Sequence, residues 1–99
     1  MTRAMKARNP DNTVETVVLQ CINDLGGKAS SKEIYQAITD YVLLSENDLR
    51  ASFGKRPQYH NELRGYFSIL TRKHKLDRLK KGEFRLTQEG LLSLVPAAF

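Results

Sequence analysis

The side chains with the greatest capacity for chemistry are cations, and they concentrate in the C-terminal half of the chain. Residues 1–50 carry six basic and seven acidic side chains, a net charge of −1, whereas residues 51–99 carry ten basic and four acidic ones, a net charge of +6. The densest group comprises Arg64, Arg72, Lys73, Lys75, Arg78, Lys80, Lys81 and Arg85. This asymmetry favours a polyanionic partner on the C-terminal side, with a merely solvated, solubilising face as the alternative.

The residues that catalysis requires are sparse. No lysine has an acidic residue two positions before it, as the carboxylate and lysine set of a metal-dependent nuclease would need. His60 and His74 lie fourteen residues apart, and the sequence has no glycine-rich phosphate loop and no nucleophile motif. The single cysteine, Cys21, lies among apolar residues, so we expect it in the core. We therefore expect no metal, no cofactor and no enzymatic activity in this chain.

The basic and amide side chains must be positioned by a helix predicted over residues 58–75. At 100° per residue its inward face collects Tyr59, Leu63, Tyr66, Phe67, Leu70 and His74, whose aromatic members we interpret as core rather than as a base-stacking platform. The opposite face carries Asn61, Gly65, Ser68 and Arg72, flanked by Arg64 and Lys75. Asparagine, serine and arginine hydrogen-bond to base edges and phosphates, and a glycine lets a helix approach its partner closely.

A basic hairpin follows this helix directly. Residues 77–86 predict two short strands, in which Phe84 and Leu86 alternate with polar residues, joined at Lys81-Gly82. Thr87 is expected to cap a last helix over residues 88–94. A helix followed by a charged hairpin is the outline of a winged helix, with the hairpin as its wing.

The N-terminal half predicts the supporting helices. The first begins at a cap on Asp11 or Asn12 and ends at Gly26-Gly27, and an extended link, Lys28-Ala29, leads to the second. Ser30 and Glu33 form a capping box for this second helix, which is expected to end near residues 41–43. Residues 45–50 predict a short helical insert, and residues 51–58 a loop.

These elements predict one small α+β domain, mostly helical: a winged helix-turn-helix with three main helices, a short helical insert and a C-terminal hairpin wing. We expect a flexible basic tail over residues 1–11, the domain over 12–94, and a tail or the start of a linker over 95–99. The single cysteine, the polar N-terminus and the absence of a long apolar run predict a cytoplasmic protein without membrane contact.

The site hypothesis is a double-stranded DNA interface. Asn61, Arg64 and Ser68, with Gln58 as a further candidate, are predicted to read major-groove edges. Phosphate contacts are predicted for Lys55, Arg56, Arg72, Lys73, Lys75, Lys80 and Lys81. The N-terminus of the second helix, at Ser31 and Lys32, is predicted to hold another phosphate through its backbone N–H groups.

The sequence resembles the N-terminal winged-helix domain of Mrr-type restriction endonucleases. The resemblance covers residues 12–92 and is carried by Asn61-Glu62-Leu63-Arg64, Leu70-Thr71-Arg72-Lys73, the acidic insert 44–49, and the closing run Phe84-Arg85-Leu86-Thr87-Gln88-Glu89-Gly90. The sequence departs from that pattern at Gly65-Tyr66-Phe67. The resemblance implies a DNA-binding module, in a family often directed at modified bases, whose nuclease domain is separate and outside this chain.

Two alternatives remain open at this stage. The first is a winged helix that mediates protein contact or dimerisation through residues 45–48 and the apolar tail of Leu91, Leu92, Leu94, Val95 and Phe99. The second is a stand-alone transcriptional regulator. A homodimer and a C-terminal catalytic domain are both compatible with the sequence.

Overall fold

The computed structural model describes residues 5–9, 11–50 and 56–94, with only the backbone of Asn47 and Asp48. The fold is α+β, with small antiparallel sheets packed against helices. In chain order the elements are β1 (Lys6–Ala7), α1 (Val14–Asp24), β2 (Lys28–Ser30), α2 (Ser31–Ala37), a 3-10 turn (Ile38–Asp40), β3 (Val42–Leu43), α3 (Glu46–Leu49), α4 (Gln58–Arg72), β4 (Leu76–Lys80), β5 (Glu83–Leu86) and α5 (Gln88–Leu92). Among the described residues, no helix has both the length and the apolar character needed to cross a membrane.

Local hydrogen bonds fix where the helices begin. Thr13 caps α1, since its hydroxyl accepts from the backbone N–H of Thr16 at 3.2 Å, so the prediction of Asp11 or Asn12 as the cap was wrong. The capping box between Ser30 and Glu33 is confirmed, with both of its hydrogen bonds formed. Thr87 caps α5 as expected, because its hydroxyl accepts from Gly90 N–H.

The larger sheet has the strand order β2-β5-β4, with both neighbours antiparallel to β5. Lys28-Ala29, expected to be an extended link, therefore belongs to an edge strand, Lys28–Ser30, that is paired with β5. The hairpin between β4 and β5 turns at Gly82, whose φ of 75° lies in the left-handed region that glycine adopts without steric cost. The register shifts between Arg78 and Lys80, which marks a β-bulge near the tip of the hairpin.

A second, two-stranded sheet pairs β1 with β3. Met5 beside it is 3% exposed, and its backbone N–H donates to Glu62 of α4 at 3.1 Å. The described residues 5–9 thus differ from the flexible tail expected over 1–11. The second helix also ends earlier than expected, at Ala37, and Val42 reaches the core from β3 instead.

The core lies where α1, α2 and α4 meet the larger sheet. Its fully buried side chains include Val18, Ile22, Ile34, Leu63, Leu70 and Leu76. Cys21 is buried as expected, and burial raises the pKa of its thiol to about 11. The apolar face predicted for α4 is confirmed at Tyr59, Leu63, Phe67 and Leu70, but not at His74. Because α4 ends at Arg72 and His74 has a φ of 63°, that histidine is exposed rather than inward.

Candidate functional site

An open groove runs between α4, the N-terminus of α2 and the hairpin of β4 and β5. One wall is the exposed face of α4, from Asn61 to Arg72, and the other is formed by Arg78, Lys81 and Gly82. Tyr35, Phe67 and Phe84 lie at its base, each at most 8% exposed, with the rings of Phe67 and Phe84 4.7 Å apart. The base is therefore an extension of the core, and the chemistry of the groove lies on its walls.

Positive charge dominates these walls. The cations that line the groove are Arg56, Arg64, Arg72, Arg78 and Lys81, all of them exposed, whereas no described carboxylate lines it. None of these five forms an ion pair with any residue in the described ranges. We call this feature, with its five cations, the cationic groove. Charges held at fixed positions without internal partners remain available to neutralise an external anion.

Most cations of the same region that lie outside the groove have partners. Lys73 pairs with Glu15 of α1 at 2.8 Å, and Lys80 approaches Glu83 at 3.8 Å. Arg85 pairs with Asp77 at 3.2 Å across the hairpin. Between residues 56 and 94, the lysines and arginines on the walls of the cationic groove have no ion-pair partner among the described residues, whereas those outside it have one. Lys75 is the exception, because it lies outside the groove and forms no ion pair with a described residue.

The β-bulge of the hairpin determines which cation enters the groove. A regular hairpin with Lys81-Gly82 as its two-residue turn would place Leu79 opposite Phe84. The observed register pairs Arg78 with Phe84 and Asp77 with Arg85. Directly opposed residues of antiparallel strands share a face, so Arg78 stands beside Phe84 on the groove side. Arg78 is consequently a groove residue that the site hypothesis did not include.

The N-terminus of α2 holds the tip of the hairpin. The backbone N–H of Ser31 donates to the carbonyl of Gly82 at 2.7 Å, and the N–H of Glu33 donates to the hydroxyl of Ser30. The prediction that Ser31 offers its backbone N–H to a phosphate is therefore corrected, because that donor is already used. Its role in the structure is to fix the wall formed by Lys81 and Gly82 against α2.

His60 lies next to the groove rather than on the open surface. Its ring stacks on Tyr35, with centroids 3.9 Å apart and planes 9° apart, and meets the edge of Tyr59 at 4.5 Å. Burial first, and the nearby charge of Arg56 second, lower the pKa of His60 below its ordinary value of 6.5. Burial and the nearby cation therefore both favour the neutral form of the imidazole.

The structure divides the predicted site residues into three groups. Those brought together in the cationic groove are Ser31, Arg56, Asn61, Arg64, Ser68, Arg72 and Lys81. Those placed outside it are Lys32, Gln58, Lys73, Lys75 and Lys80. Lys55 lies outside the described residues. Arg78 belongs to the basic cluster seen in the sequence, but it was not predicted as a site residue. Only the strand register, which pairs Arg78 with Phe84, shows that its side chain lies on the groove side of the hairpin.

The described part of the chain contains no group of three or more His, Cys, Asp or Glu side chains arranged to hold a metal ion. The polar side chains that line the groove are those of arginine, lysine, asparagine, serine and threonine. Comparison of this chain with protein-family models, with curated proteins and with solved structures found no match.

Proposed function

We propose that this chain is a double-stranded DNA-binding module with a winged-helix arrangement. The observation that carries the proposal is the cationic groove, where five unpaired cations surround the polar face of α4 and no described carboxylate lines the walls. DNA is a polyanion, and neutralising its phosphates supplies most of the affinity of proteins that bind it. A groove that excludes carboxylates suits this ligand.

The element order supports the winged-helix part of the proposal. A helix, an edge strand, a second helix, a long helix and a hairpin occur in this order as α1, β2, α2, α4, β4 and β5, with the 3-10 turn, β3 and α3 inserted between α2 and α4. The strand β2 completes the sheet of the hairpin. In this arrangement α4 is the recognition helix and the hairpin is the wing. With 15 residues α4 is about 22 Å long, and a major groove about 12 Å wide admits a helix.

The roles follow from position. Arg64, Asn61 and Ser68 on the central part of α4 are assigned to base edges. Arg56 before α4, Arg72 at its end, and Arg78 and Lys81 on the wing are assigned to phosphates on either side. The resemblance to Mrr-type endonucleases extends the proposal to a recognition part of a restriction-modification protein, in which cleavage belongs to a separate domain.

The test measures duplex binding by fluorescence anisotropy, with a random duplex in plain and cytosine-methylated forms and a matched single strand as competitor. We expect micromolar or tighter binding at low salt, with preference for the duplex. Preference for the methylated duplex would support a restriction-type reader. Absence of duplex binding at low salt, or preference for the single strand, would refute the proposal.

Two neighbouring wing residues provide a matched pair of variants. Lys81 lines the cationic groove, whereas Lys80 points elsewhere and approaches Glu83. Lys81→Ala is expected to weaken binding of all duplexes about equally, and Lys80→Ala, with the same loss of charge, is expected to weaken it much less. Equal losses for both variants would mean that general surface charge, not the groove, attracts the DNA.

A second candidate function is self-association through α5. Leu91 and Leu92 are 46% and 60% exposed, which favours an apolar contact with another molecule. Leu94, in contrast, packs against the core. Sedimentation velocity over a range of protein concentrations without DNA would test this candidate. Leu92→Glu is expected to abolish any concentration-dependent dimer and to leave DNA binding by the monomer unchanged.

A further inference from the structure

Gly65 occupies an unusual position on α4. It lies near the middle of the helix and is exposed, and a Cβ added there would meet no atom within 4 Å. Glycine is less favourable than alanine inside a helix, because it loses more backbone freedom on folding. Internal packing gives no reason for the missing side chain, in contrast to Gly90, where a Cβ would overlap the carbonyl oxygen of Lys75. The open space above Gly65 belongs to the cationic groove.

The side chains around Gly65 are those that read base edges in other proteins. Asn61 lies one turn before it and Ser68 one turn after it, with Arg64 beside them, and all three line the groove. None of the three side chains hydrogen-bonds to another residue in the described ranges. On the polar face of α4, Gly65 is thus the position where no side chain projects and a ligand can come closest to the backbone. The side chains around it have donors and acceptors that are free to bind that ligand.

Resting on the function proposed above, we propose that α4 contacts the base edges of a duplex most closely at Gly65, with Asn61 pairing to an adenine and Arg64 to a guanine. The amide of asparagine matches the donor and acceptor of adenine, and the two donors of a guanidinium match the two acceptors of guanine. Three residues of helix span about 4.5 Å, so the two purines lie in adjacent or next-adjacent base pairs. The ligand is then a duplex that contains an adenine and a guanine at this spacing.

The first test is Gly65→Ala, which acts in opposite directions on stability and on binding. Alanine is expected to raise the melting temperature by about 4–8 °C, through helix propensity alone. The same methyl group is expected to weaken duplex binding at least about fivefold, the size of one lost base contact.

Asn23→Ala is the control, since Asn23 is exposed on α1 away from the groove and its replacement should raise stability without changing binding. Unchanged or tighter binding by Gly65→Ala would overturn close approach at this residue.

The second test is selection of binding sites from random duplexes. The unmodified chain is expected to enrich sites with adenine and guanine at the stated spacing. Asn61→Ala should lose the preference for adenine and Arg64→Ala the preference for guanine, each by about five- to 150-fold. Binding without such enrichment, or loss of affinity in both variants without a change in preference, would overturn the inference while leaving DNA binding in place. Failure of the unmodified chain to bind any duplex at low salt would instead overturn the proposed function as well.

Discussion

Arg72 and Lys73 are neighbours in sequence with the same charge and opposite surroundings, and they give the sharpest test of the cationic groove. Arg72 is exposed on the groove wall without an ion-pair partner among the described residues. Lys73 lies outside the groove, where its ammonium group is 2.8 Å from Glu15 of α1. Arg72→Ala and Lys73→Ala therefore change the net charge equally, but the first removes a cation from the groove wall and the second removes one outside it.

The expected magnitude follows from counterion release. The four cations assigned to phosphates give a slope of log affinity against log salt of about −3.6, so affinity falls about 150-fold between 50 and 200 mM salt. Removing Arg72 leaves three contacts, a slope of about −2.7 and a fall of about 40-fold. Removing Lys73 is expected to leave the slope at about −3.6. Its other consequence is the loss of an exposed ion pair, which is worth at most about 1 kcal/mol of stability.

The assay is anisotropy titration of one random duplex by the unmodified chain and both variants, across at least five salt concentrations. Circular dichroism at each salt concentration verifies that the variants remain folded. A smaller slope for Arg72→Ala alone supports the groove as the docking surface. Equal reductions in both variants, or an unmodified slope near zero, would refute the assignment of these four cations to phosphates.

Three further predictions concern stability and are each measured by thermal or urea denaturation. Ser30→Ala removes the capping box and is expected to lower the free energy of unfolding by about 1 kcal/mol; an unchanged value would mean that its hydrogen bonds contribute nothing net. Gly90→Ala is expected to lower the free energy of unfolding by about 1–3 kcal/mol, because the added Cβ overlaps the Lys75 carbonyl oxygen. An unchanged free energy of unfolding would mean that α5 shifts without cost to relieve this overlap. The lowered pKa of His60 means that the unfolded chain binds its proton more tightly, so stability should fall as pH drops below about 6.5. His60→Phe keeps a ring against Tyr35 and should reduce that fall; an equal fall would assign it to other groups.

The helices of this fold could be predicted from the sequence because their signals are local. The capping box at Ser30 and the apolar period of α4 each lie within a few residues of the chain, and both are confirmed. The hairpin of β4 and β5 could be predicted in the same way, whereas the strands β1, β2 and β3 could not. Lys28–Ser30 becomes a strand only because β5, more than fifty residues later, supplies its hydrogen-bond partners. Met5 is likewise buried through contacts with distant parts of the chain. The short, basic, unpatterned sequence around it does not predict that burial.

The candidate site shows the same limit at the level of single side chains. A basic cluster is visible in the sequence, but the direction of each cation depends on partners and register that the sequence does not display. Alternation along β4 would put Arg78 and Lys80 on one face, and the bulge between them separates the two, so that Arg78 enters the groove and Lys80 turns to Glu83. The sequence predicts a phosphate contact for Lys73, whereas in the structure the ammonium group of Lys73 pairs with Glu15. Total charge therefore predicts a class of partner, while the pairing of individual charges predicts which surface would contact it.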